Sequence, residues 1–418
     1  MSNRAKGVLR ALGFETRVFV ILFVATVFSG SLLRFATPYM IVSQVVLLSW
    51  MAVSMPGKRP SALVNIRHLW PLVTLLIFDA FLFWQLSHAY APTITQTYGW
   101  RFLVFSMFLV FIPRIDVCFT AIKIAKWYSG VAAASIVIMA LATGERTGGL
   151  VGSYHFGGMM MSVACILFLL DYFQNGGRRV DALGFALALV GLFVSGKRMF
   201  ALLAVLAFAL LYLASTRRAG KRRSWRLALL GTGAVFPLYF TVEPVRELAS
   251  RLQLFSLDAY AATSGRNLLW EVAIDVFRSH PLTGIGFGNF AVYLGASYSI
   301  KGVGEYLAHN IYVGLLAETG VVGFALFVGL MLYSLVFSVS LLRNLRSAES
   351  PISYYVTTYS VAMQLWFIVY GFTGNGIYGW HEFFFYISAV SMAIAVRIDQ
   401  SRARRPWAAT NIDQVGCA

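Results

Sequence analysis

The sequence predicts an all-α membrane protein with about twelve transmembrane helices, and three observations carry that reading. First, 59% of the 418 residues are hydrophobic and 12% are charged, about half the charge of a soluble domain. Too little polar material remains to cover a core of this size, and the mean hydropathy is +0.72, so lipid must be the solvent for most of the chain. Second, apolar runs long enough to cross roughly 30 Å of hydrocarbon as helix recur along the sequence. Third, Lys and Arg are shared unequally between alternate loops.

The apolar runs fall near 18–34, 38–55, 69–87, 98–113, 127–143, 156–173, 182–196, 198–214, 227–242, 320–342, 352–371 and 380–397. The first is followed at once by others and lacks a small-residue cleavage site, so it reads as a span rather than a removable signal. The stretch 182–214 could be one long segment. Ser195-Gly196-Lys197-Arg198 puts a helix breaker and charge at its middle, however, and two spans are expected there. Charge supports the same count. With the N-terminus inside, 24 of the 34 basic residues lie on the cytoplasmic side. Merging 182–214 would move Arg217, Arg218, Lys221, Arg222, Arg223 and Arg226 outside. The same rule accounts for a net charge of +17, which in a soluble protein would suggest nucleic acid.

The expected layout is therefore nine spans over residues 1–242, a periplasmic loop over 243–309, three spans over 310–397 and a cytoplasmic tail over 398–418, with both termini in the cytoplasm of an inner-membrane protein. Cys118, Cys165 and Cys417 have no paired spacing, which argues against a disulfide framework or a metal site. In the long loop, Gly265 to His280 reads as an amphipathic helix, with Ser264 a possible N-cap and Pro281 closing it. Leu269, Ala273, Val276 and Phe277 make its apolar face. Pro281-Leu282-Thr283-Gly284-Ile285-Gly286-Phe287-Gly288 follows as a glycine-rich turn. It opens no βαβ unit, so it has no nucleotide role.

Outward-facing cations run against the orientation rule and need a reason. Lys197 and Arg198 occupy a tight outer turn, Arg146 lies on the same side, and Arg266 starts the amphipathic helix. Arg198 snorkelling to headgroups and Arg266 as a solvated helix residue are the plain alternatives. Together, two Arg at the outer interface suit a diphosphate, because guanidinium binds phosphate oxygens through bidentate, charge-assisted hydrogen bonds. His309, one of six histidines, stands just before the tenth span. A neutral imidazole there could take a proton from a sugar hydroxyl, or it could be an ordinary interfacial histidine. His155 and His381 are weaker outer-side candidates, and His68, His88 and His280 look like loop or interface residues. Glu305 and Glu318 flank His309 and could orient it. No carboxylate pair or His-x-x-x-His spacing suggests a metal.

Several of these stretches resemble a known family. Thr263-Ser264-Gly265-Arg266 with Trp270, then His280-Pro281-Leu282-Thr283-Gly284-Ile285-Gly286, His309-Asn310-Ile311-Tyr312 and Ala317-Glu318-Thr319-Gly320-Val321-Val322-Gly323 look like the O-antigen ligase and polymerase superfamily. Ser195-Gly196-Lys197-Arg198 resembles its upstream arginine motif, and Gly152-Ser153-Tyr154-His155-Phe156 is a looser match. The resemblance implies a C-type glycosyltransferase-like membrane fold that needs no metal, cofactor or nucleotide sugar. Its donor would be a polyprenyl (undecaprenyl)-diphosphate-linked glycan, and its acceptor lipid A-core, another lipid-linked repeat or protein. Arg198 and Arg266 would hold the diphosphate and His309 would act on the acceptor hydroxyl. Lys197, Arg146, His155, Asn310 and Tyr312 would line the substrate site. Membrane lipids are expected partners and nucleic acid is not.

Two other classes compete. A secondary transporter or flippase suits twelve spans but usually carries ionisable residues near the bilayer midplane. Here Asp79 and Glu318 are the charges expected inside spans, and Asp79 could equally be a hydrogen-bonded core carboxylate. A structural scaffold would leave the outer Arg and His motifs unexplained.

Overall fold

The computed structural model describes residues 70–110, 114–143, 154–174, 176–195, 198–215, 266–297, 307–345 and 350–415. Of these, 85% are helical, and no strand occurs among them. The helices are α1 (Trp70–Gln85), α2 (Pro92–Val110), α3 (Ile115–Thr143), α4 (Tyr154–Gln174), α5 (Arg179–Val194) and α6 (Arg198–Ser215). After them come α7 (Arg266–Ser279), α8 (Phe290–Ser297), α9 (Ile311–Arg343), α10 (Pro351–Tyr370) and α11 (Trp380–Val415). Among the described residues, five segments are long and apolar enough to cross a membrane: Trp70–Ser87, Ile115–Thr143, Phe156–Gln174, Ile311–Arg343 and His381–Ser401. The expected spans at 18–34, 38–55 and 227–242 lie outside the described residues. The stretch 182–214 holds two helices, with α5 ending at Val194 and α6 opening at Arg198. The tail expected from 398 onward continues α11 as helix to Val415.

The helices pack as a bundle around an aromatic centre. Phe78 of α1, Phe102 of α2, Phe327 of α9 and Phe383 of α11 are fully buried and in mutual ring contact, with centroids 4.8–6.3 Å apart. Phe287, from the glycine-rich turn, drops into the same cluster 5.5 Å from Phe102 and 5.1 Å from Tyr378. Edge-to-face and offset ring pairs add to the burial of such side chains. They fix where the turn sits.

That turn is also woven into a broken helix. Gly320 leaves helical geometry inside α9, with φ 60° and ψ −167°. Backbone groups released there are taken up by the turn: Ile285 N–H donates to Ala317 O, Gly286 N–H to Glu318 O and Val321 N–H to Pro281 O, at 2.9–3.2 Å. Non-helical backbone at membrane depth is tolerated where protein satisfies it in this way. The Gln85 amide, at the end of α1, reinforces the join by donating to Thr283 O and Glu318 O.

The far ends of α3, α4, α5 and α10 hold a second polar feature. Lys123 and Lys126 both donate to Asp171, and Lys126 also donates to Asp181. The Lys123 ammonium lies 4.2 Å from the Tyr355 ring centroid. The expectation that only Asp79 and Glu318 are charged within spans is thereby corrected. Because α3 begins at Ile115 rather than near 127, both lysines lie inside a helix. Alternating signs make their burial tolerable, since each charge finds a hydrogen-bonded counter-charge.

Candidate functional site

Asn310 determines the local geometry at the start of α9. Its side-chain oxygen caps the helix, accepting from Tyr312 N at 3.0 Å and Val313 N at 3.2 Å, as Asn does at an N-cap. His309 precedes the cap with φ +51°, the one left-handed value at a non-glycine position among the described residues. Such a backbone costs on the order of 1–3 kcal/mol and persists where its surroundings over-determine it. Here they do. Trp270 Nε1–H holds Ala308 O at 2.8 Å, and Ile311 N–H holds Gly371 O at 2.8 Å.

The His309 side chain meets the loop between α10 and α11. Asn375 Nδ2 lies 3.0 Å from His309 Nδ1. Two residues earlier in that loop, Thr373 O accepts from Arg266 Nη1 at 3.0 Å. Residues 43 positions apart in the chain are thus tied to one short loop. Sequence reasoning passed over Thr373 and Asn375. Their only local sign is a Thr-Gly-Asn-Gly turn composition, and their role arises from contacts far apart in sequence.

Other candidates gather at the same end of the bundle. Phe200, in the first turn of α6, stacks 5.3 Å from Tyr370, the residue that ends α10. Arg198 opens that helix. Phe156, in the first turn of α4 beside His155, lies 4.6 Å from the ring of His381 in the first turn of α11. The N-termini of α4, α6, α7, α9 and α11 therefore converge on the α10–α11 loop. Helix N-termini carry a partial positive charge, which favours anions, although the first N–H groups of α9 are already taken by Gly371 O and the Asn310 cap. Lys197 and Arg146 lie outside the described residues.

The structure gives three of the expected site residues structural partners. Asn310 spends its side-chain oxygen on the cap, and the Tyr312 hydroxyl donates to Ile368 O at 2.7 Å while its ring packs on Phe372. Both hold the site together. Glu318 does not orient His309. Its carboxylate accepts from Gly288 N, Phe290 N and the Tyr378 hydroxyl at 2.7–2.9 Å, fastening the glycine-rich turn. Glu305 lies outside the described residues. Asp79 accepts from Ser106 Oγ at 2.7 Å within the aromatic core, which matches a hydrogen-bonded core carboxylate. Among the described residues no group of three or more His, Cys, Asp or Glu could hold a metal ion.

No curated protein matches the chain. Residues 183–328, from α5 to the middle of α9, match the family described as O-antigen ligase. The matched stretch includes Arg198, Arg266, the glycine-rich turn, His309 and the break in α9, which the structure draws together at one end of the bundle. This match supports glycosyl transfer of the O-antigen ligase or polymerase type, on lipid-linked glycan and polysaccharide substrates in general. The match over residues 183–328 supports a relationship to the O-antigen ligase superfamily.

Proposed function

We propose that this protein transfers a glycan from a polyprenyl (undecaprenyl) diphosphate to an acceptor hydroxyl, at the periplasmic face of the bacterial inner membrane. The acceptor hydroxyl attacks the anomeric carbon with inversion, and lipid diphosphate leaves. Lipid A-core is the acceptor if the protein is a ligase, and a second lipid-linked repeat if it is a polymerase. The observation that carries this reading is the shared loop: Thr373 O holds Arg266 and Asn375 holds His309. A cation suited to diphosphate and an imidazole suited to the reacting centre are thus fixed a few residues apart. The converging helix N-termini add to the attraction for anionic phosphate.

In this reading Arg266 and Arg198 bind the diphosphate and stabilise the charge that develops on it, and His309 acts at the acceptor hydroxyl. Lys197, Arg146 and His155 contact substrate from the neighbouring turns. Asn310 and Tyr312 contribute by fixing the backbone and helix on which His309 stands. Neither a metal nor a nucleotide sugar is required. Positioning and preorganised charge supply most of the acceleration. The twelve-span layout, with termini in the cytoplasm and residues 243–309 in the periplasm, puts the motif residues on the side where lipid-linked glycan is used.

The test is transfer by purified protein in detergent, given a polyprenyl-diphosphate-linked glycan and either acceptor, with EDTA and without ATP or an ion gradient. Product is expected with one of the two acceptors. Arg266→Ala and His309→Ala should each lower the rate about a hundredfold or more. A gradient-driven transporter forms no new glycosidic bond under these conditions, so absence of product with both acceptors refutes the reading.

A further inference from the structure

We propose that the loop between α10 and α11 is a sugar subsite. In it Thr373, Asn375 and His381 hold the first sugar of the lipid-linked donor, the one attached to the diphosphate, against the exposed ring of Phe372. This inference rests on the glycosyl-transfer reading and names the part of the donor that the loop recognises.

Among the described residues, ten buried side-chain nitrogen or oxygen atoms lack a hydrogen-bond partner. Three of them, Thr373 Oγ1, Asn375 Oδ1 and His381 Nε2, fall within nine consecutive residues. The other seven are spread over five helices. An unpaired buried polar group is costly, so three at one place call for a partner from outside the chain. The Asn375 amide needs one whichever way round it sits, because one end meets His309 Nδ1 and the other meets nothing. All three residues are half-buried, so the gaps they face lie near the surface of the site and not deep in the bundle.

A pyranose suits this set. Its hydroxyls both donate and accept, as do a threonine hydroxyl, an amide and a neutral imidazole between them. Its C–H face packs on an aromatic ring, and Phe372 offers one, 55% exposed and fixed 4.6 Å from the ring of Tyr312. On the other side, the His381 ring rests 4.6 Å from that of Phe156. A few placed polar groups between aromatic walls are the usual make-up of a small-molecule site. The anchors of the loop say which sugar fits. Thr373 O holds Arg266 and the Asn375 side chain meets His309. In the proposed transfer the diphosphate lies at Arg266 and the acceptor hydroxyl at His309. Between those two groups stands the sugar whose anomeric carbon is attacked, and residues 373–375 run between the same two anchors.

Binding to the full chain in detergent separates this role from a structural one. The probes are undecaprenyl diphosphate alone and the same lipid carrying one hexose, one 6-deoxyhexose or one N-acetylhexosamine. The wild type should bind at least one of the three sugar-bearing lipids about tenfold or more tightly than the bare lipid. Thr373→Val removes the hydroxyl and keeps the backbone oxygen that holds Arg266, and His381→Phe keeps a ring against Phe156. Each should cut the sugar's advantage about two- to tenfold, the usual contribution of one neutral hydrogen bond, and leave bare-lipid binding unchanged. Thr373→Val should also be at least as stable to heat as the wild type, since it deletes an unpaired buried group. A less stable Thr373→Val protein, or equal weakening of bare and sugar-bearing lipids, overturns the subsite, because the hydroxyl is then satisfied by ordered water or serves the fold. Equal wild-type affinity for all four lipids overturns it as well. A wild type that shows the sugar advantage yet makes no product with either acceptor refutes the glycosyl-transfer reading and leaves the subsite standing. Product formation with an undiminished sugar advantage in both variants refutes the subsite and leaves that reading intact.

Discussion

Gly284 and Gly320 face each other across the break in α9. A β-carbon on Gly284 would lie 2.2 Å from the carbonyl carbon of Glu318, and one on Gly320 would lie 2.3 Å from that of Leu282. Both have positive φ, 66° and 60°. Two motifs 36 residues apart thus meet backbone to backbone, and neither position has room for a side chain.

Gly284→Ala and Gly320→Ala should therefore each destabilise the fold. Overpacking against rigid backbone costs about 1–3 kcal/mol, and the left-handed backbone adds roughly 1–2 kcal/mol for a residue with a β-carbon. Thermal unfolding in detergent should show a clear fall for each variant. Substitution at Gly329, where a β-carbon meets nothing within 4 Å, should leave stability nearly unchanged. Equal stability of all three variants would disprove the close crossing.

The buried charges of α3, α4 and α5 give a second stability prediction. Asp171 accepts from both Lys123 and Lys126, and Asp181 from Lys126. Asp171→Asn leaves two ammonium groups facing a single carboxylate. Breaking a buried pair from one side costs about 3–5 kcal/mol, so a large loss of thermal stability is expected. Adding Lys123→Met to Asp171→Asn restores charge balance and should recover part of it. A double variant no more stable than Asp171→Asn alone would show that charge balance is not what holds these helices.

Much of the helical layout was legible in the sequence, and the reason differs from element to element. The split between α5 and α6 is marked by a breaker and two charges in a row, a purely local signal. The amphipathic helix α7 is marked by its period, and Ala273 and Val276 are indeed its buried residues. Although the block of spans was expected from 310, the apolar run at 320–342 starts nine residues after α9 itself, because Glu318 and Thr319 interrupt the hydropathy. Their burial depends on Gly288, Phe290 and Tyr378, which no local pattern reveals. Asn375 was invisible for the same reason. Its partner His309 lies 66 residues away, and an Asn between glycines reads simply as a turn.

The expected topology is open to a direct check. Cys118 and Cys165 are buried, so they and Cys417 can be replaced by Ala to give a cysteine-free background. In it, Gly220→Cys should react with a membrane-impermeant maleimide only after the membrane is opened, and Tyr260→Cys should react in intact spheroplasts. Labelling of both from the same side would remove the odd number of spans between them and reverse the orientation of everything downstream.

The final prediction concerns the fork at Arg266. Nη1 donates to Thr373 O, which fixes the guanidinium plane. A lysine at this position keeps the charge but presents a point ammonium, without the planar geometry that matches two phosphate oxygens at once. Arg266→Lys should therefore fold normally and lose transfer by roughly ten- to a hundredfold, since one good charge-assisted hydrogen bond contributes about 1.5–3 kcal/mol. The loss should be greater in kcat than in KM if the fork grips the diphosphate most tightly as its charge develops. Diphosphate itself provides the control. Inorganic pyrophosphate should inhibit the wild type more strongly than the lysine variant, because it competes for the same donors. A lysine variant with wild-type turnover and unchanged pyrophosphate inhibition would show that Arg266 serves only to tie α7 to the α10–α11 loop, with the diphosphate held elsewhere.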